Sequence, residues 1–206
     1  MNNKKIILIL VFCIFFLNKS QSKQLSNNII VSIDNLIITE LDINKEINFI
    51  KFIKNGEVNT NLEVFKKEVI EILIDRKIKD IETNIFKIEI QEKEIENSLY
   101  NFLTELKMNN ENLNSFYVKH EIEKDYLRNI VRIDLKWSKL IRQLYQSRIN
   151  INMTEITKEI EKDKKSTEEG EQLERKIFTS EQNKLLNKFS ITHLEKSKKK
   201  YLIKFL

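Results

Sequence analysis

A chain of 206 residues with one third of its side chains charged is long enough to bury a sizeable core in one or two domains. Two glycines, no proline and one cysteine exclude glycine-rich phosphate loops and a disulfide framework. The formal charge of +5 shrinks once Lys4, Lys5 and Lys19 are set aside with the acid-free N-terminal stretch, leaving 33 basic against 31 acidic side chains, a balance of +2.

Thirty of the 36 basic residues are Lys, whereas phosphate and guanine recognition favours Arg, so no nucleic-acid partner is expected. The absence of Ala and the abundance of Ile, Asn, Lys and Phe follow AT-rich codons, which makes the basic isoelectric point a weak guide to partners.

Residues 1–22 read as a secretory signal. Lys4 and Lys5 form a positive start, Ile6–Leu17 is an unbroken apolar run, and Ser20-Gln21-Ser22 offers small residues for cleavage. As a helix the run spans roughly 18 Å, too short for a comfortable membrane anchor across about 30 Å of hydrocarbon. Cys13 lies inside it between bulky residues, unlike a lipidation site, so the mature chain is expected to lack a thiol and to be exported without stable membrane insertion.

Ile29–Ile43 reads as strand, turn, strand and helix start: Ile29, Val31 and Ile33 alternate, Asp34-Asn35 can turn, and Thr39 with Asp42 forms a variant capping box. A helix over Glu40–Lys54 ends at Asn55-Gly56. The capping box Thr60-Asn61-Leu62-Glu63 opens a long helix to about Asn84, with Leu62, Phe65, Val69, Leu73 and Ile81 inward. Ile88–Ile90 is an extended lead into a helix over Gln91–Lys107 that turns Ile95, Leu99, Phe102 and Leu106 inward.

A break at Asn109–Asn112 and a short helix, Leu113–Tyr117, precede the clearest helix, Ile122–Tyr145. There Tyr126, Ile130, Ile133, Trp137, Leu140 and Leu144 recur in steps of four and three. Arg148–Met153 reads as extended, and Thr154 caps a short helix to Lys162. Asp163–Gln172 is wholly polar and reads as a linker. Helices over Leu173–Phe189 and Ile191–Lys199 follow, then a terminal strand, Tyr201–Leu206, whose only good partner is the opening hairpin. The fold class is mainly α: a helical core with a small sheet made from the N-terminal hairpin and the C-terminal strand.

No reactive constellation stands out. His120-Glu121 begins like a zinc-protease helix, but Lys124 occupies the second histidine's place and His193 is the only other imidazole, so no metal is expected and His120 reads as a helix-boundary residue. Gly56 and Gly170 are too far apart for a nucleotide motif. Arg128, Arg132 and Lys136 make a basic stripe or, more simply, a hydrated helix face. Among the aromatics, Phe49 and Phe52 lie beside the main stripe of their helix, and Phe116-Tyr117 sits in a segment too short to bury both rings. These four are the candidate lining of an apolar client-binding crevice.

Five pieces, in order, resemble the chaperone domain of the SurA family of periplasmic chaperones. They are I-V-x-I-D-N-x-x-I-T-x-x-D (Ile30–Asp42), E-I-L-I-D-R-K-I (Glu71–Ile78), I-x-I-x-x-x-E-I (Ile88–Ile95), Y-L-R-x-x-x-R (Tyr126–Arg132) and the terminal Y-L-I-K-F-L. The resemblance covers roughly Asn28–Lys162 and Leu173–Leu206. It implies that residues 23–162 form a SurA N-terminal-like helical domain completed by 173–206. Parvulin-type isomerase domains, inserted at this point in the family, are replaced here by the ten residues 163–172.

The resemblance therefore implies a periplasmic, ATP-independent holdase without prolyl isomerase activity and without a cofactor. It would bind unfolded outer-membrane protein precursors, with an assembly-machinery partner as a further expectation. The alternative is an exported structural or adaptor subunit using the same surface for one folded partner.

Overall fold

The computed structural model describes residues 28–54, 61–106, 117–118, 123–154 and 167–206. Two strands open the fold, β1 (Ile29–Ile33) and β2 (Leu36–Thr39), followed by helices α1 (Glu40–Ile53), α2 (Leu62–Ile85), α3 (Glu92–Glu105), α4 (Lys124–Tyr145) and α5 (Thr167–Lys198), and by strand β3 (Ile203–Phe205). The sheet is antiparallel throughout with order β2-β1-β3, so the first strand is central and the last closes it. This is the mainly α body with a small terminal sheet expected from the residue pattern.

The hairpin turns at Asp34, whose φ of 48° lies in the left-handed region that Asp tolerates. Asp34 also holds the C-terminal segment: its amide donates to the Leu202 carbonyl at 3.0 Å, and its Oδ1 accepts from the Leu202 amide at 2.9 Å. Val31, Ile33 and Ile38 alternate inward and are fully buried. A register irregularity between Ile29 and Val31 shifts the outer end of the hairpin.

Thr39 caps α1 as its spacing implies. Its Oγ1 accepts from the Asp42 amide at 3.2 Å, and Asp42 Oδ2 accepts from the Thr39 amide at 2.8 Å. Asn61, rather than Thr60, caps α2: Asn61 Oδ1 accepts from the amides of Glu63 and Val64, because the helix begins one residue later than the four-residue motif suggests. Leu62, expected inward, is therefore on the first turn and 62% exposed.

At its other end α2 stops without glycine. Lys87 adopts φ 52°, the Ile88 amide reaches back to the Thr83 carbonyl, and the Lys87 amide reaches the Asn84 carbonyl. That pairing is the Schellman arrangement, in which a left-handed residue satisfies the last carbonyls.

Helix α2 is the spine of the molecule, packing against α1, α4 and α5. One core cluster fills the space under the sheet with Val31, Ile33, Ile38, Ile43, Val69, Leu73, Ile74 and Ile78. A second joins α1, α3 and α4; a third joins α4 and α5 around Trp137, Leu140 and Leu186. The seam of α4 is as its spacing implies, with Ile130, Ile133, Trp137 and Leu140 buried and Tyr126 and Leu144 partly so.

Three local expectations are corrected. The two helices expected after residue 172 are one continuous helix of 32 residues. It already includes 167–172, because Glu and Gln are good helix formers and one glycine costs only about 1 kcal/mol. Arg148 lies in a 3-10 turn, Gln146–Arg148, rather than in an extended segment, and the backbone is already helical at Met153 and Thr154, so Thr154 is not a cap. Ile88–Ile90 does lead, non-helical, into α3 as its sequence implies. Expectations placed on residues 1–22, Asn55-Gly56, Phe116, His120 and 163–166 lie outside the described residues.

Candidate functional site

Two surfaces and two buried polar clusters deserve a functional reading. The first surface is built where the end of α1 meets α3 and the start of α4. Phe49, on α1, is 5% exposed and belongs to the second core cluster with Ile95, Leu99, Leu127, Ile130 and Val131. Its ring centroid lies 6.2 Å from Tyr126, edge to face, and 6.4 Å from Phe102, the spacing at which aromatic quadrupoles attract. Phe52 and Tyr117 are half-buried against the same cluster. Three of the four expected residues are thus brought into one cluster, Phe49 buried and Phe52 and Tyr117 half-buried.

Beneath Phe49 lies a charged anchor that its position on an apolar stripe conceals. Glu46 follows Ile43 by three residues and precedes Ile50 by four, and it is 1% exposed. The guanidinium of Arg76, from α2, donates to both of its oxygens, at 2.5 and 2.9 Å, a bidentate match of fork and carboxylate. The Tyr126 hydroxyl donates to Glu46 Oε2 as well. Burial pushes the Tyr126 hydroxyl well above its ordinary pKa, and the neighbouring Glu46 carboxylate adds to the effect. Burial alone would lower Arg76, but its bond to Glu46 raises it instead. Neither group can exchange a proton near neutrality. The triad fixes the Tyr126 ring against Phe49 and ties α1, α2 and α4 together.

The second cluster joins α2 to the last segment. Glu82, also 1% exposed, accepts from Lys200 Nζ at 2.9 and 2.8 Å and from the Tyr201 hydroxyl at 2.6 Å. His193 Nε2 lies 3.6 Å from Glu82 Oε2, and His193 Nδ1 is 2.8 Å from the Tyr145 hydroxyl. Burial lowers the His193 pKa; the Glu82 carboxylate opposes this, but the positive charges of Lys200 and Lys196 act with burial and the net shift is downward. The imidazole is therefore neutral at pH 7. Glu82 and its partners fasten the approach to β3 onto the helical spine.

The second surface is the rim of the sheet. Ile29, Leu36, Ile37, Leu202, Phe205 and Leu206 are all exposed. Beside β3 an open groove of about 440 Å³ is lined by Phe205 and by Glu63, Lys66, Lys67, Ile70 and Glu71 of α2.

Two of the three residues of the basic stripe, Arg128 and Lys136, make internal contacts, as does the neighbouring Lys139. Arg128 pairs with Glu92 of α3, Lys136 donates to Asn84 Oδ1 at 2.9 Å, and Lys139 donates to the Glu89 carbonyl at 2.9 Å.

No family model matches the chain, and no curated protein matches it. A solved structure does. It belongs to a study of the virulence factor PEB4 and the periplasmic protein Cj1289, two structurally related SurA-like chaperones of Campylobacter jejuni. The likeness covers 87% of this chain and 99% of that one, at 12% identity and a TM-score of 0.45. A likeness of that size assigns neither family nor activity. No helix among the described residues is long and apolar enough to cross a membrane.

The two buried carboxylates were the functional-looking residues that sequence reasoning passed over. Their signal was an acid in an apolar row: Glu46 between Ile43 and Ile50, and Glu82 four residues after Ile78.

Proposed function

We propose that this protein is an exported, ATP-independent holdase that shields unfolded outer-membrane precursors, without prolyl isomerase activity. The observation that carries the reading is the crowding of exposed apolar side chains around an open-edged sheet and beside a preformed aromatic cluster, on a body whose N- and C-terminal segments close together as the motif order implies. Contiguous apolar surface rimmed by charge marks an interaction site. Phe52 and Tyr117 wall a client crevice over a floor of Phe49, which the Glu46–Arg76–Tyr126 triad holds in place.

Such binding is moderate and reversible. Burying ~400 Å² of client apolar area contributes about 10 kcal/mol gross at ~25 cal/mol/Å². Association and ordering costs bring this to roughly micromolar affinity. The test is light scattering from an unfolded outer-membrane barrel protein diluted from urea, with and without the purified mature chain and with no nucleotide. Suppression at near-stoichiometric ratio is expected. No suppression at tenfold excess rejects the holdase, and a single folded partner at fixed stoichiometry in a pulldown replaces it with the adaptor reading.

A further inference from the structure

We propose that the outer edge of β3, with the groove between β3 and the first half of α2, accepts an added strand: an extended, uncharged polypeptide segment carrying apolar side chains at alternate positions. This deepens the chaperone reading and rests on it for the nature of the occupant.

The backbone supplies the first argument. The Asp34 amide donates to the Leu202 carbonyl and the Leu206 amide donates to the Ile30 carbonyl, while Lys204 stands opposite Ser32. In an antiparallel ladder alternate residues face the partner. Leu202, Lys204 and Leu206 therefore turn their backbone groups toward β1, and Ile203 and Phe205 turn theirs outward. Among the described residues β3 is an outer strand of the sheet, and unpaired amides and carbonyls in register are a template for another strand.

The side chains supply the second. Phe205 stands opposite Val31, so its ring projects from the face turned toward the helices, yet it is 64% exposed because it overhangs the core. With Ile70 it forms the apolar floor and wall of the groove. A strand laid beside β3 would drop every second side chain into that groove, the alternation a β-barrel precursor carries. The rim consists of two carboxylates, Glu63 and Glu71, and two ammonium groups, Lys66 and Lys67. It bears no net charge, so it draws neither a cationic nor an anionic segment, and an uncharged one buries no unpaired charge against Ile70 and Phe205. The other outer strand, β2, runs directly into α1 at Glu40, which cuts its usable edge short.

The test uses the full mature chain and a capped seven-residue peptide of alternating valine and threonine, beside the same peptide N-methylated at every second residue. In the free protein the Leu206 amide should resist hydrogen exchange while those of Ile203 and Phe205 exchange freely. The unmodified peptide should protect Ile203 and Phe205, and the N-methylated peptide should bind about tenfold more weakly for each facing hydrogen bond lost. Phe205→Ala, at an exposed position, should weaken the unmodified peptide severalfold and leave the thermal midpoint unchanged.

Equal binding of the two peptides, or protection confined to residues around Phe52 and Tyr117, overturns strand addition. Light scattering on the same samples separates the two readings. Suppressed aggregation without protection at β3 overturns strand addition alone; protection at β3 without suppression upholds strand addition and overturns the holdase.

Discussion

Replacing Glu82 by Gln asks whether the C-terminal segment is fastened by charge. The amide keeps the shape of the carboxylate but loses its charge and one acceptor oxygen. Glu82 accepts two bonds from Lys200 and one from Tyr201; hydrogen bonds to charged groups contribute about 1.5–3 kcal/mol each. The Tyr201 bond survives in weaker form. The Lys200 side chain is 49% exposed and regains water, so its share is discounted for screening. A net loss of about 2 kcal/mol follows, read as a lower urea midpoint at constant slope and a fall in Tm of roughly 4–8 °C for a domain of this size.

The pH dependence gives the same contact a second signature. Burial by itself would push the Glu82 carboxyl up, but the bonds from Lys200 and Tyr201 more than reverse it and hold its pKa below the ordinary carboxylate value. A depressed pKa stabilises the fold above about pH 4.3, and that stabilisation disappears as pH falls through the folded-state value. The gap between wild type and Glu82→Gln should therefore be open at pH 7 and close in acid. A variant within 0.5 kcal/mol of wild type at pH 7 refutes the reasoning, as does a gap that persists unchanged into strong acid.

Buried and neutral, His193 resists protonation that the unfolded chain accepts, so stability should decline as pH drops below about 6.5; in His193→Gln, urea midpoints should be flatter over that interval. Lys87→Gly should raise stability by about 1 kcal/mol by relieving a left-handed non-glycine residue, and an unchanged or lower Tm contradicts that. Phe49→Ala should cost about 3–5 kcal/mol as a buried aromatic truncation, whereas Phe52→Ala should leave Tm within about 2 °C and reduce suppression of barrel-protein aggregation at least threefold. Thr39→Ala should cost about 1 kcal/mol through the lost cap of α1, seen in the same denaturation series.

The local grammar of the fold was legible. Alternating Val31 and Ile33, the turn at Asp34, the Thr39 cap and the four-three seam of α4 each report a short-range physical preference, and the structure honours them. The terminal strand was legible by elimination, since YLIKFL needs an edge and only one hairpin was on offer. What stayed hidden depends on partners far apart in sequence. Glu46 with Arg76, and Glu82 with Lys200, are ordinary charges until tertiary packing removes their water. The start of α5 was hidden for another reason: its polar composition signals exposure, which a helix satisfies as well as a loop does. Of the candidate site, Phe49 and Phe52 could be picked out by their position beside an apolar stripe and Tyr117 by the shortness of its segment, but the depth of Phe49 could not, because it is set by α3 and α4 closing over it.

Because the central strand belongs to the opening hairpin and its second neighbour follows about 170 residues later, the sheet is a late product of translation. At ~5–20 residues per second the ribosome needs on the order of 10–30 s to deliver β3 after β1 has emerged. Until β3 arrives, the hairpin presents a bare flank of its own.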